Sequence, residues 1–280
     1  MASYLDEIVA YHRRRAADGA ARQDGALWSG VDSAPPVRSF AAALADDGIS
    51  VIAEVKRRSP SKGDLAPDLD VEALARSYQA GGAACLSVLT DEPHFGGSAS
   101  DLVAARSVTE LPVLRKDFTV CAGDVLEARA MGADAVLLIV AALSPGELAE
   151  LAALAGSVGM TSLVEVHDEA ELEVALGVVE REGGAGSVVV GINQRDLRTF
   201  TVDPDRAMAV GALVPDGVLR VAESGIRVRA DVARLEEAGF DAVLVGETLV
   251  RSADPASAVA GLRGAEVVPD GVAEEVTACS

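Results

Sequence analysis

A chain of 280 residues, half of them hydrophobic but only 3% aromatic, must build its core from Ala, Val and Leu, which favours a parallel sheet under helices over an aromatic-rich sandwich. Its 24 Lys and Arg against 44 Asp and Glu leave a formal charge of −20. That argues against nucleic acid and anionic membranes as partners, because phosphate surfaces are held by clustered cations, but it leaves room for a locally positive pocket around an anionic small molecule.

Cys85, Cys121 and Cys279 form no CxxC and have no metal spacing with His12, His94 or His167, so reduced thiols and no bound metal are expected. Asp6 and Glu7 interrupt the N-terminus where a signal peptide would be apolar. The longest apolar stretch, Ala135 to Leu143, is about half of a membrane span. A soluble, cytoplasmic protein is the expectation.

In chain order, the first segment predicts an amphipathic helix, with Leu5, Ile8 and Val9 on one face and Tyr4, Tyr11 and His12 nearby. A looser stretch with Gly25, Gly30, Pro35 and Pro36 follows, so residues to about 48 are read as an extension. From residue 51 onward, strands are predicted near 51–56, 84–89, 112–116, 135–140, 162–166, 188–193, 218–223 and 242–246. Helices are predicted between and after them near 71–80, 98–107, 123–131, 144–155, 168–181, 203–212, 229–238 and 254–262. Ser144 with Pro145 and Glu147, Asp168 with Glu171, and Asp203 with Pro204 read as helix starts. Gly81-Gly82, Gly132 and Gly239 read as helix ends. Strict alternation gives parallel strands with right-handed crossovers. The fold class is α/β, a (βα)8 TIM barrel in one domain over 1–264, with a doubly wound open sheet as its competitor. Residues 265–280 carry Glu266, Asp270, Glu274 and Glu275 without apolar period and are expected to be a disordered tail.

The predicted strands share a second feature: most reach an ionisable or amide residue near the C-terminal end. Desolvating such groups unpaired is costly, whereas parallel α/β folds place their active sites there. Glu54 and Lys56, two apart, point to one side of a strand and read as a structural ion pair or as chemistry; Ser59-Pro-Ser-Lys-Gly63 behind them favours chemistry. Lys116 closes the third strand, where burial is expected to lower its pKa into a range useful for a general acid. Arg115 has the opposite parity and is expected to face the helices. Glu165 closes the fifth strand. Asn193 and Arg195 close the sixth and suit a carboxylate or hydroxyl. Glu223-Ser-Gly225 and Gly246-Glu-Thr follow the last two strands, where such barrels bind phosphate through backbone N–H groups.

Together these segments resemble the indole-3-glycerol phosphate synthase family. The carriers are Ile52-Ala-Glu-Val-Lys-Arg-Arg-Ser-Pro-Ser-Lys-Gly63, Val88-Leu-Thr-Asp91, Phe95-Gly-Gly-Ser98, Leu114-Arg-Lys-Asp-Phe118 and Leu163-Val-Glu-Val166. Gly191-Ile-Asn-Gln-Arg-Asp-Leu197, Ala222-Glu-Ser-Gly-Ile226 and Val245-Gly-Glu247 complete them. The resemblance runs to about Gly264 and includes the N-terminal helix, which in this family lies over the barrel mouth.

The resemblance implies closure of the indole ring of 1-(2-carboxyphenylamino)-1-deoxyribulose 5-phosphate with loss of carbon dioxide and water, and no cofactor. It implies Lys116 as general acid, Lys56 as its partner, Glu165 as base or cation-stabilising carboxylate, and Glu54 as a second proton-transfer group. Ser59, Ser61, Asn193, Arg195, Glu223 and Ser224 would position substrate, Phe95 and Phe118 would wall the aminobenzoate ring, and Gly225, Gly246 and Glu247 would cradle phosphate. A monomer, or a weak dimer at most, acting on a small sugar phosphate is the expected form. Gln194 and His94 depart from the family pattern without removing a group of the chemistry. The alternatives are a phosphoribosylanthranilate isomerase-like barrel, which would need an early Cys base, and a barrel that only binds a sugar phosphate.

Overall fold

A computed structural model describes residues 3–19, 24–45, 48–60, 62–182, 186–196 and 201–265. Eight parallel strands close into a barrel: β1 (Ser50–Val55), β2 (Cys85–Leu89), β3 (Val113–Lys116), β4 (Ala135–Ile139), β5 (Thr161–Val166), β6 (Val188–Asn193), β7 (Arg220–Glu223) and β8 (Ala242–Val245). Each pairs with the next, and β8 pairs with β1 through Ser50–Ala242 to Ala53–Val245. The protein is therefore a (βα)8 barrel, not an open sheet.

The predicted crossover helices are α4 (Val71–Ala80), α6 (Ala99–Ser107), α7 (Ala122–Ala130), α8 (Pro145–Ser157), α9 (Glu169–Arg181), α10 (Pro204–Gly211), α11 (Arg229–Glu237) and α13 (Pro255–Arg263). Before the barrel lie α1 (Tyr4–Gly19), α2 (Asp24–Ser33) and α3 (Phe40–Leu44). The stretch read as loose is thus partly helical: α3, five residues long, is too brief to carry a periodic signal, and Gly25 and Gly30 read as breakers within α2; both helices exist because of what they pack against. Further additions to strict alternation are α5 (Glu92–Phe95), α12 (Glu247–Val250), a 3-10 turn over Val140–Ala142 and a small ribbon pairing Arg58–Ser59 with Gly63–Asp64. The tail expected over 265–280 lies outside the described residues beyond Ala265.

Two cores follow from the two-residue pleat. Outward residues such as Val51, Ala53, Val55, Val136 and Val190 pack under the helices, and inward ones such as Ile52, Leu114, Leu163, Val189, Val221 and Leu244 fill the barrel. Phe40, Ala41 and Leu44 of α3 join the inner core and plug the N-terminal end. Among the described residues no helix is long and apolar enough to cross a membrane.

Helix starts are capped as the sequence predicts. Asp168 and Asp203 accept from the backbone N–H groups of Glu171 and Arg206. Ser144 and Glu147 form a reciprocal capping box at α8. Gly82, Gly132 and Gly239 take positive φ just past helix ends, where a side chain would be strained.

Helix α1 docks on the C-terminal rim through acidic residues that cap helix starts: Glu147 of α8, Asp124 of α7 and Asp91 of α5. Arg13 reaches Glu147 at 2.8 Å and Arg15 reaches Asp124 at 2.6 Å. His12, 1% exposed, pairs through Nε2 with Asp91, the cap of α5, at 2.8 Å. Asp91 also takes His94 Nδ1 at 2.9 Å and two backbone N–H groups. Burial would raise its pKa, but those donors hold it low, at about 2.

Ser144→Ala removes one half of the α8 capping box and is expected to cost about 1 kcal/mol. Urea unfolding of both proteins measures it; an unchanged midpoint would show that the box contributes nothing here.

Candidate active site

On β1, β3, β5, β6 and β7 the inward parity continues past the apolar layer to a polar residue at the rim, and on β8 to a glycine. Two residues beyond Ile52 stands Glu54, beyond Leu114 Lys116, beyond Leu163 Glu165, beyond Val221 Glu223, and beyond Leu244 Gly246. On β6 the step runs from Val189 through Gly191 to Asn193. These residues surround a cavity of about 530 Å³ at the C-terminal end of the barrel, a size that suits a small ligand.

Lys116 Nζ lies 3.5 Å from both Glu165 Oε2 and Glu223 Oε2. Asn193 Nδ2 donates to Glu165 Oε1 at 3.2 Å, and Arg195 N donates to Asn193 Oδ1 at 3.0 Å. Lys56 is ion-paired with Glu54. Phe95 and Phe118, ring centroids 6.2 Å apart, form an apolar wall. Tyr4, Leu5 and Ile8 of α1 roof the cavity. Ser59, Arg195, Ser224, Gly225 and Glu247 also line it. Of the expected site residues, Ser61 lies outside the described residues; the others converge.

Two glycines make room for this cluster. A Cβ on Gly191 would collide with Glu223 Oε1, and one on Gly246 with the Glu54 carboxylate. Ser224 and Gly225 follow β7 with φ of 68° and 75°, so the turn at Ser224 holds a backbone strained for a non-glycine residue.

The electrostatics correct one expectation. Burial alone would depress Lys116, but Glu165, Glu223 and Glu54 outweigh it, and its pKa is raised. Lys116 is a firmly held ammonium. Burial likewise acts to raise Glu165, yet Lys116, His167 and Asn193 bring it below its ordinary value. Glu223 goes the other way: burial raises it first, the facing Glu165 carboxylate second, and Lys116 offsets only part. The cluster therefore carries an ammonium, one carboxylate and one carboxylic acid, because two buried carboxylates that face each other do not both ionise.

Arg115, 2% exposed, turns outward as its parity requires. It donates to Thr90 Oγ1 at 3.0 Å, Asp124 O at 2.7 Å and Asp117 Oδ2 at 3.0 Å. Gln194 is buried, and its backbone N–H donates to Glu223 O. His94 donates its backbone N–H to the Asp91 cap and packs edge-on against Tyr4 and Tyr11. Cys85 is buried inside the barrel near Phe40, its thiol pushed up by burial, so it offers no base at the mouth.

Sequence reasoning missed Arg227 and Arg251, which line the cavity beside the last two loops together with Thr248 of the Gly246-Glu-Thr segment. Their signal was available: two arginines just beyond glycine-bearing loops. It also missed His167, whose Nε2 lies 3.5 Å from Glu165 Oε1. Among the described residues His12, Asp91 and His94 have spacing that could hold a metal ion. However, His12 Nδ1 is buried without an acceptor, whereas a ligating His donates its second N–H. The grouping reads as a latch for α1.

Comparison with known proteins gives a consistent result. A family model described as indole-3-glycerol phosphate synthase matches residues 5–262. Indole-3-glycerol phosphate synthase 2 of Streptomyces coelicolor is 52% identical over 252 residues, covering 90% of this chain and 93% of that protein. The indole-3-glycerol phosphate synthase of a Nocardioides species is 49% identical over 269 residues, covering 94% and 99%. In fold alone, the crystal structure of a 3-hexulose-6-phosphate synthase is similar at a TM-score of 0.60 with 17% identity, covering 77% of this chain and 99% of that one.

Because Glu223 is raised on folding, the stability linked to its proton is complete below the unfolded carboxyl range and is lost as pH rises through the folded value. Glu223→Gln removes the titration. Its stability relative to the native protein should therefore improve steadily from mildly acidic to mildly alkaline pH in urea unfolding; a pH-independent difference would contradict the assignment.

Proposed function

We infer the chemistry of this site from one premise: the chain belongs to the indole-3-glycerol phosphate synthase family. It is a carbon–carbon lyase that converts 1-(2-carboxyphenylamino)-1-deoxyribulose 5-phosphate to indole-3-glycerol phosphate, carbon dioxide and water. The observation that carries the division of labour is the placing of Lys116 between Glu165 and Glu223, 3.5 Å from each, beside an aromatic wall.

In ring closure, the ring carbon that bears the carboxylate attacks the ketone carbon. The carbonyl π pair moves to oxygen, and Lys116 gives that oxygen its proton. An ammonium suits this role because it neutralises charge as it develops, and a raised pKa keeps it loaded until the oxygen becomes basic. Positive charge grows on the aniline nitrogen and ring, where ionised Glu165 stabilises it. The carbon–carboxyl bond then breaks, and its pair restores the aromatic ring as carbon dioxide leaves.

Dehydration follows. Lys56, oriented by Glu54, protonates the departing hydroxyl, and a carboxylate takes the proton from the carbon next to nitrogen. Phe95 and Phe118 flank the aminobenzoate ring. Ser59, Asn193, Arg195 and Ser224 orient the polar chain of the substrate, and Glu223, as the acid of the pair, donates to it. Backbone N–H groups at Gly225, Gly246 and Glu247 take the phosphate, with Arg227 and Arg251 nearby supplying positive charge. The steps are covered by acids and bases of this chain, so the reading includes no metal and no cofactor. It extends to residues 1–264 acting as one unit with its roof, to a monomer in the cytoplasm, and to a small phosphate ester as sole partner.

The isomerase alternative loses its base, since Cys85 is buried at the closed end of the barrel. A barrel that only binds gains nothing from a proton held between Glu165 and Glu223.

Lys116→Met should lower turnover by on the order of 10²-fold or more while keeping the fold and inorganic phosphate affinity. Indole fluorescence with the carboxyphenylamino sugar phosphate measures it, and near-native rates would remove Lys116 from the mechanism. Incubation with EDTA should leave the native rate unchanged; strong inhibition would reveal a metal requirement.

A further inference from the structure

Lys116 does not by itself distinguish Glu165 from Glu223. Both carboxylates are buried, and each presents Oε2 to Nζ at 3.5 Å. The ring-closing reading nevertheless needs one of them ionised as base and the other protonated. What differs is the second oxygen of each. Glu223 Oε1 is buried without a hydrogen-bond partner. Glu165 Oε1 accepts from Asn193 Nδ2 at 3.2 Å and faces His167 Nε2 at 3.5 Å.

His167 is held for this purpose. It stands two residues past Glu165, just after β5, and its side chain is 11% exposed. Its Nδ1 lies 3.0 Å from Glu171 Oε2, which also accepts the His167 backbone N–H at 2.8 Å. Glu171 sits in the first turn of α9 behind the Asp168 cap, and its side chain is 22% exposed. With Glu171 ionised, the proton on Nδ1 is retained, and protonation of the ring places the second N–H on Nε2, directed at Glu165. That nitrogen is buried and has no hydrogen-bond partner of its own. The titratable groups facing the imidazole are Glu165 from β5, Glu171 from α9 and, further off, Glu223 from β7, with Lys116 of β3 beyond Glu165. With the proton on Glu223, the charged neighbours are the carboxylates of Glu165 and Glu171, and they favour the cationic ring against its burial.

We propose that His167, backed by Glu171, is a positioning residue that assigns the base role to Glu165 and thereby leaves the shared proton on Glu223. The proposal rests on the ring-closing reading and deepens it. His167 touches neither substrate nor reacting atoms; it acts through Glu165. No bond to substrate is made or broken by it, and the proton it carries stays on the ring throughout.

The test is the pH dependence of kcat/KM for the native enzyme, His167→Gln and Glu171→Gln. Loss of the imidazolium should make Glu165 harder to ionise. The acidic limb of the His167→Gln profile should therefore move to higher pH by about one unit, a tenfold loss of rate below the limb, with KM changed little. Glu171→Gln should move the limb the same way by less. A merely structural role would lower the rate equally at every pH, and that outcome, or limbs left in place, overturns the proposal. Should His167→Gln not fold, Glu171→Gln decides alone by the same criterion. Failure of the native enzyme to convert the carboxyphenylamino sugar phosphate would instead overturn the ring-closing reading.

Discussion

The structure depends on a geometric constraint: in a closed parallel barrel, every second residue of every strand must go inside, and the inside has an end. Below that end the inward positions are Ile52, Leu114, Leu163, Val189, Val221 and Leu244, which fill the barrel. One pleat further, the same parity leaves the apolar layer and arrives at the cavity. The side chains there are Glu54, Lys116, Glu165 and Glu223, with Asn193 two pleats above Val189. Convergence of groups from distant parts of the chain is therefore not a separate design. It is the pleat carried one step past the core, and strand pairing fixes the levels: Asn193 stands beside Glu223, and Glu165 beside Gly191.

That geometry creates an electrostatic problem. Ions taken from water need partners within a few ångströms. Two carboxylates on one ammonium over-compensate it, and the excess is relieved by keeping a proton on Glu223. The arrangement yields an acid, a base and a neutral hydrogen-bond donor in one water-poor space. Room is supplied by what is missing: Gly191 and Gly246 leave out the Cβ atoms that would displace Glu223 and Glu54. A glycine at an inward rim position is thus as much part of the site as the ion it accommodates.

Most of this was legible in the sequence, and the exceptions have physical reasons. Strand ends were readable because Glu, Lys and Asn are conspicuous among Val and Leu, and pleat parity then sorted Lys116 inward and Arg115 outward. Caps such as Ser144 with Glu147 are local and were readable too. The direction of the Lys116 pKa was misjudged, because burial can be guessed from one strand, but the opposing charges come from β1, β5 and β7. Helices α2 and α3 were missed because they owe their existence to the surfaces they cover. His167 was passed over for a different reason: it lies just beyond the end of β5, and only the turn of the chain there brings its Nε2 to face Glu165.

Helix α1 meets the barrel at three carboxylates, Asp91, Asp124 and Glu147, and each already accepts a backbone N–H at the start of a barrel helix. His12, Arg15 and Arg13 therefore dock on acceptors that are satisfied without them. Were α1 to swing away, none of the three acids would be orphaned and no barrel helix would lose its start. The attachment is a fastener sewn onto finished cloth: undoing it would leave the fabric beneath in its own shape.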